Sequence, residues 1–290
     1  MGAFVLSQLL SKGPPKPGAG AAGAGDGPRD GQGPRKWFPE HQRSQWFREH
    51  HDEAAGRVVD FFGTVFVDLG GKTVADVGCG DGIIDLGVAH KARPARLVGF
   101  DTRPTDRDLL ARLDREEGGG GGLPESLEFV TCERNHLPAD DASFDHVYSW
   151  SAFEHIQDPL AVIREIRRIL RPGGLLMIQV WPFYHSEHGS HLWEWFPRGF
   201  AQFLHEPEEL EATVRANPGP DPEWAEAVLW AYRHLNQITL DDLQRSLQLG
   251  GFRTVRVHPM TGALQPPVEV AKLPLSLITI AGVELLATPY

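Results

Sequence analysis

The chain has 290 residues, enough for one α/β domain with insertions and marginal for two. Its 41% hydrophobic and 23% charged residues exclude a disordered or fibrous protein, and a formal net charge of −11 argues against a general binder of phosphate backbones. The two cysteines, Cys79 and Cys132, form no disulfide framework and suit a reducing, cytoplasmic setting. No stretch approaches the roughly 20 consecutive apolar residues of a spanning helix, so no membrane is expected as partner. The opening residues are apolar but short and lack a basic leader, a poor secretory signal.

Residues 1–36 are predicted to be a disordered tail rich in Gly, Pro and Ala, because they cannot bury enough apolar surface to offset chain entropy. Residues 37–290 form the expected folded domain. Residues 44–67 read as a helix, with Trp46, Phe47, Ala54, Val58, Phe61 and Phe62 near one stripe. A strand at 73–77 is followed by glycines, then a helix at 83–90 and a second strand at 96–100. A charged helix at 105–116 precedes a third strand at 127–130 and a fourth at 144–149. The next helix has Asp158 as N-cap and Pro159 at its first position, and Leu160, Ile163, Ile166, Ile169 and Leu170 recur along one face. Pro172-Gly173-Gly174 ends it before a fifth strand at 175–180. The alternation then breaks until Thr239 and Asp242 open another helix in a capping-box pattern. Strand candidates follow at 254–258 and 283–287, and 260–280 has no assignment. Strands alternating with helices imply crossovers and a mostly parallel, doubly wound sheet.

The chemistry centres on Asp76-Val77-Gly78-Cys79-Gly80-Asp81-Gly82, which follows a strand and opens a helix. Glycines there let a ligand approach the main chain closely, at the strand end where doubly wound sheets bind ligands. The spacing is Gly-x-Gly-x-Gly, not that of a dinucleotide phosphate loop, and no basic residue lies in the turn. Asp76 and Asp81 would repel a pyrophosphate and suit a cationic ligand. Asp101, ending the second strand, has the position of a ribose-binding carboxylate, or else caps the following helix. A carboxylate after the third strand, at Glu133, can accept a bond from an exocyclic amine.

These segments resemble the successive motifs of class I S-adenosylmethionine-dependent methyltransferases, and most closely those of the group called methyltransferase type 11. The resemblance runs over 73–180 and takes in Val98-Gly99-Phe100-Asp101, Leu137-Pro138 with Ser143-Phe144-Asp145, Phe153-Glu154-His155-Ile156 and Leu170-Arg171-Pro172-Gly173-Gly174. It implies a Rossmann-like seven-stranded sheet with an antiparallel last strand and S-adenosylmethionine as cofactor. The expected cofactor contacts are Asp76, Gly78, Cys79, Gly80, Asp101, Glu133 and Arg134, the last through its backbone N–H. The family more often has Asp where this chain has Glu133. After the fourth strand, Ser149-Trp150-Ser151-Ala152 lacks the Asn-Pro-Pro-Tyr pattern of enzymes that methylate planar nitrogens, and no Pro-Cys nucleophile occurs.

Residues 181–238 are expected to form an inserted helical lid over a small-molecule acceptor, with O-methylation by in-line displacement as the reaction. The segment 181–196 interleaves aromatics with His185, His188 and His191, and would line the acceptor pocket or simply pack as a structural cap. His155 and His191 are the candidate general bases, with activity expected to fall below about pH 6.5. His185, Glu187, His188 and His191 are ligand types, but their spacing matches no zinc motif and no metal is expected. The competing functions are a cofactor-binding scaffold without catalysis and an NAD-type oxidoreductase, the latter disfavoured by the glycine spacing and Asp81.

Overall fold

A computed structural model describes residues 39–118 and 122–290. The predicted tail lies outside them. Seven strands form one sheet in the order β3-β2-β1-β4-β5-β7-β6. They are β1 (Thr73–Val77), β2 (Arg96–Asp101), β3 (Leu127–Thr131), β4 (Phe144–Trp150), β5 (Leu170–Val180), β6 (Phe252–Thr261) and β7 (Ile280–Pro289). The first five pair in parallel, and β7 runs antiparallel to both β5 and β6. This is the Rossmann-like sheet expected, with its antiparallel last strand.

Alternation along the strands sends successive side chains into two different cores. Ala75, Val77 and Val147 pack with Ile163, Ile166 and Leu243 on one face. Val74 and Tyr148 pack with Phe47, Val58, Phe62 and Leu86 on the other. The first face is covered by α5 (Pro159–Ile169) and α9 (Leu240–Leu249). The second is covered by α3 (Ile83–Ala92) and an N-terminal helical run. That run comprises α1 (Arg43–Phe47), a wider-wound π segment (Arg48–Ala54) and α2 (Ala55–Gly63). It stops before the predicted end at 67, because Phe66 takes a positive φ of 61° in a turn.

The caps read from sequence form as hydrogen bonds. Asp158 accepts from Ala161 N at 3.0 Å, and Thr239 and Asp242 close a capping box. The charged helix α4 (Arg107–Leu113) starts later than predicted, because Asp106 is its cap and accepts from Leu109 N. Leu170 is the one helix-face residue that moves element. Its ψ of 131° is extended, and it pairs with Phe144 as the first residue of β5. The unassigned stretch 260–280 holds the end of β6, a single helical turn at Val268–Val270, α10 (Leu275–Thr279) and the start of β7.

The break in alternation after β5 is a helical insertion. It contains the short α6 (Ala201–Leu204), α7 (Pro207–Ala216) and α8 (Pro222–Arg233). Its own small core joins Leu192, Leu210, Val214 and Leu229. Among the described residues no helix is long and apolar enough to cross a membrane.

Candidate active site

Strands β1 and β4 are neighbours, yet the helices following them lie on opposite faces of the sheet. Their carboxyl ends therefore open a crevice, where doubly wound sheets bind ligands. The glycine turn sits there. Gly78 N donates to Phe100 O at 2.8 Å, which draws the chain across the end of β2. Its φ is +90°, and a Cβ on it would lie 2.4 Å from that of Ala152, so only glycine fits against the segment leaving β4. Gly80 also has a positive φ, but a Cβ there would meet nothing within 4 Å. One glycine is required by packing, while the next borders open space.

Asp101 braces the turn, accepting from Gly80 N and from Arg103 N, each at 3.0 Å. An ionised carboxylate has about four acceptor sites, so capacity remains for a ligand's hydroxyls. Glu133 and Arg134 are exposed in the turn after β3, beside Asp101, whose carbonyl accepts from Cys132 N. Cys79 is tied into the turn by its own backbone. Its N–H donates to Phe100 O, its carbonyl accepts from Gly82 N, and its buried thiol lies 3.7 Å from the Thr105 hydroxyl. All its polar groups are engaged within the chain, so Cys79 shapes the turn. Asp81 is likewise used by the fold, accepting from Ile83 N and from the Trp46 indole, both at 3.0 Å.

Asp76 is 2% exposed and its Oδ1 has no hydrogen-bond partner. Burial, with the charges of Asp85 and Asp101, pushes its carboxyl well above the usual range. Asp85, fully buried, is also pushed up by burial, opposed by the Tyr148 hydroxyl that donates to it at 2.8 Å. Sequence reading missed Asp85 and Tyr148, because a carboxylate inside a helix gives no local sign of burial.

The insertion reaches over this edge. From α8, Trp224 packs edge-on against Trp46, whose indole holds Asp81. Trp230 lies under the Arg103 guanidinium, 5.0 Å from its carbon. Burial lowers Arg103 to about 10 despite the nearby Asp101. The aromatics of 181–196 divide between two roles. Phe183, Trp195 and Phe196 pack into hydrophobic cores. Trp181 and Trp193 instead flank His188, and Trp193 also contacts His191.

The two candidate bases, His155 and His191, come together with ring centroids 5.2 Å apart. Their environment overturns the expected break near pH 6.5. Burial, with Arg103 and His234 nearby, lowers His155 to about 4, and burial with His155 lowers His191 well below its ordinary value. Both rings are neutral at pH 7. Glu154 beside them is 3% exposed, and burial raises it to about 8. Glu187, considered as a metal-ligand type, is bound elsewhere, accepting from Ala263 N at 3.1 Å and Leu264 N at 2.5 Å.

The sequence profile of a methyltransferase domain matches residues 75–178, which hold the glycine turn, Asp101, β4 and most of β5. That stretch is a methyltransferase domain. This methyltransferase is 27% identical over 196 residues to a ubiquinone biosynthesis O-methyltransferase of Cereibacter sphaeroides, covering 64% of this chain and 75% of that one. It is 35% identical over 112 residues to a protein of the same name from Pseudomonas paraeruginosa, covering 38% of this chain but only 44% of the relative. Its fold matches that of a geranyl diphosphate C-methyltransferase from Streptomyces coelicolor A3(2), with a TM-score of 0.52 and 14% identity over 89% of this chain and 90% of that one. The site fits the methyltransferase cofactor. Gly80 leaves room for close approach, and Asp76 Oδ1 is a buried acceptor without a donor.

Proposed function

We propose that this methyltransferase binds S-adenosylmethionine in the crevice between β1 and β4 and methylates a hydroxyl of a small molecule held under the 181–238 insertion. The observation that carries the cofactor assignment is the contrast between Gly78, closed by Ala152, and Gly80, open on its Cβ side. Asp101 would hold the ribose hydroxyls, with Glu133 and the Arg134 N–H at the adenine. Asp76 would face the amino-acid end, where an ammonium returns its carboxyl to the ionised form, because an opposite charge offsets burial. When bound, the cofactor supplies a sulfonium methyl. The chain's own contribution is orientation and exclusion of water, which the tryptophan contacts of α8 at this edge support.

Hydroxyl acceptors are supported by the two O-methyltransferase relatives and by the Ser149-Trp150-Ser151-Ala152 segment, which lacks a nitrogen-methylation motif. The aromatic walls at Trp181 and Trp193 suit a flat apolar acceptor. The test is calorimetry with S-adenosylmethionine and with NAD, followed by transfer of labelled methyl to a panel of phenols, alcohols and amines. Binding of NAD alone would overturn the cofactor assignment. Cofactor binding without transfer to any acceptor would favour a scaffold, and transfer confined to amines would overturn the hydroxyl assignment.

A further inference from the structure

Glu154, His155 and His191 hold four buried polar atoms without a hydrogen-bond partner: both oxygens of Glu154, Nδ1 of His155 and Nε2 of His191. One ligand atom from each residue lies within 4.8 Å of the other two. An unsatisfied buried polar group costs about 1–3 kcal/mol, so such a cluster calls for a common partner. Once Glu154 is deprotonated and the facing ring nitrogens present their lone pairs, all three groups are acceptors, and one cation satisfies them at once. Tetrahedral ligand atoms at about 2.0–2.2 Å from one ion lie about 3.3–3.6 Å apart, so the cage closes when each side chain moves inward by about 1 Å or less.

The backbone around the cluster is held firmly. The Asn236 side chain donates to Phe153 O and Ile156 O, each at 2.6 Å, and its N–H donates to Glu154 O at 2.8 Å. On the other side His191 is kept in a left-handed conformation, φ +62°, a cost that a built site explains. A second group, His51, His90 and Asp114, has ligand atoms equally close together. There, however, the two rings satisfy each other at 3.1 Å and His51 also contacts Asp52 at 2.7 Å.

We infer that Glu154, His155 and His191 form a binding site for a divalent transition-metal ion, Zn²⁺ by its ligand set. Two imidazoles and one carboxylate leave coordination positions open, the pattern of a working rather than a structural ion. The single ligand charge leaves the ion net positive, so the open positions suit an oxygen that ionises, such as a phenolic or enolic hydroxyl. That consequence rests on the methyl-transfer reading, whereas the site itself does not.

The test uses the full-length, tag-free protein, loaded with Zn²⁺ and freed of excess by gel filtration, with metal per chain counted by mass spectrometry. Wild type and His90→Ala should each retain about one ion. Glu154→Gln and His191→Asn, the latter chosen because Asn tolerates a left-handed backbone, should bind at least tenfold more weakly. Co²⁺ substitution should give a visible absorption band that both variants lose. Calorimetry with S-adenosylmethionine, run on every variant, shows whether the fold is intact and reads the cofactor assignment separately. Wild type emerging metal-free, or full retention by Glu154→Gln, would overturn the site. Loss of the ion in His90→Ala alone would also overturn it, and place the metal at the other cluster.

Discussion

Asp101 Oδ2 accepts a hydrogen bond from the backbone N–H of Gly80 at 3.0 Å, so the end of β2 fixes the turn that follows β1. Asp101→Asn keeps an acceptor for Gly80 and removes the charge, whereas Asp101→Ala removes both. The alanine variant should weaken S-adenosylmethionine binding by about 1.5–3 kcal/mol, and the asparagine variant by less. Calorimetry checks the order. Equal affinity for wild type and Asp101→Ala would remove Asp101 from the cofactor site.

The two neighbouring glycines should separate stability from binding. Gly78→Ala drives a Cβ to 2.4 Å from the Ala152 side chain and should lower the melting temperature sharply. Gly80→Ala meets no protein atom within 4 Å, so its cost to the fold should be only the left-handed backbone, about 1–2 kcal/mol. Its larger effect should be on S-adenosylmethionine affinity. Thermal melts beside calorimetry test this. Normal cofactor binding by folded Gly80→Ala would mean that the open side of the turn is not the cofactor face.

The buried carboxyls predict a stability that declines with pH. Asp76 and Asp85 are both raised in the folded protein, so the native state holds more protons than the unfolded chain above their ordinary value of 3.8. Stability from these groups is therefore present at low pH and lost as pH rises through the raised range. Asp85→Asn removes one of the two while keeping an acceptor for Tyr148. Denaturant melts at pH 5 and pH 8 should show the variant gaining on wild type at the higher pH. An identical difference at both values would contradict the assignment.

Glu187 ties the start of the insertion to the segment after β6, through the amides of Ala263 and Leu264. Glu187→Ala leaves those amides without their acceptor and should destabilise the protein by about 1.5–3 kcal/mol. Hydrogen exchange at Ala263 and Leu264 should quicken first. Unchanged protection there would show that the contact does not hold the segment.

How much was legible in the sequence follows from how local each signal is. The glycine turn, the Asp158-Pro159 helix start and the Thr239-Asp242 capping box are set by residues within a turn of one another, and each formed where expected. The alternation of strands and helices was enough for the parallel sheet, because a crossover can return to the same sheet in essentially one hand. Leu170 was misplaced because an apolar residue at helical spacing looks the same whether the chain continues as a helix or turns into a strand. Only tertiary structure decided what meets at the carboxyl edge. Trp46 reaches Asp81, Arg103 lies over Trp230, and His155 faces His191, each pair joining elements far apart in the chain. The protonation of these groups was decided there as well. A histidine has one ordinary titration range in water, and only burial beside other groups moved His155 to about 4 and left both rings neutral beside Glu154.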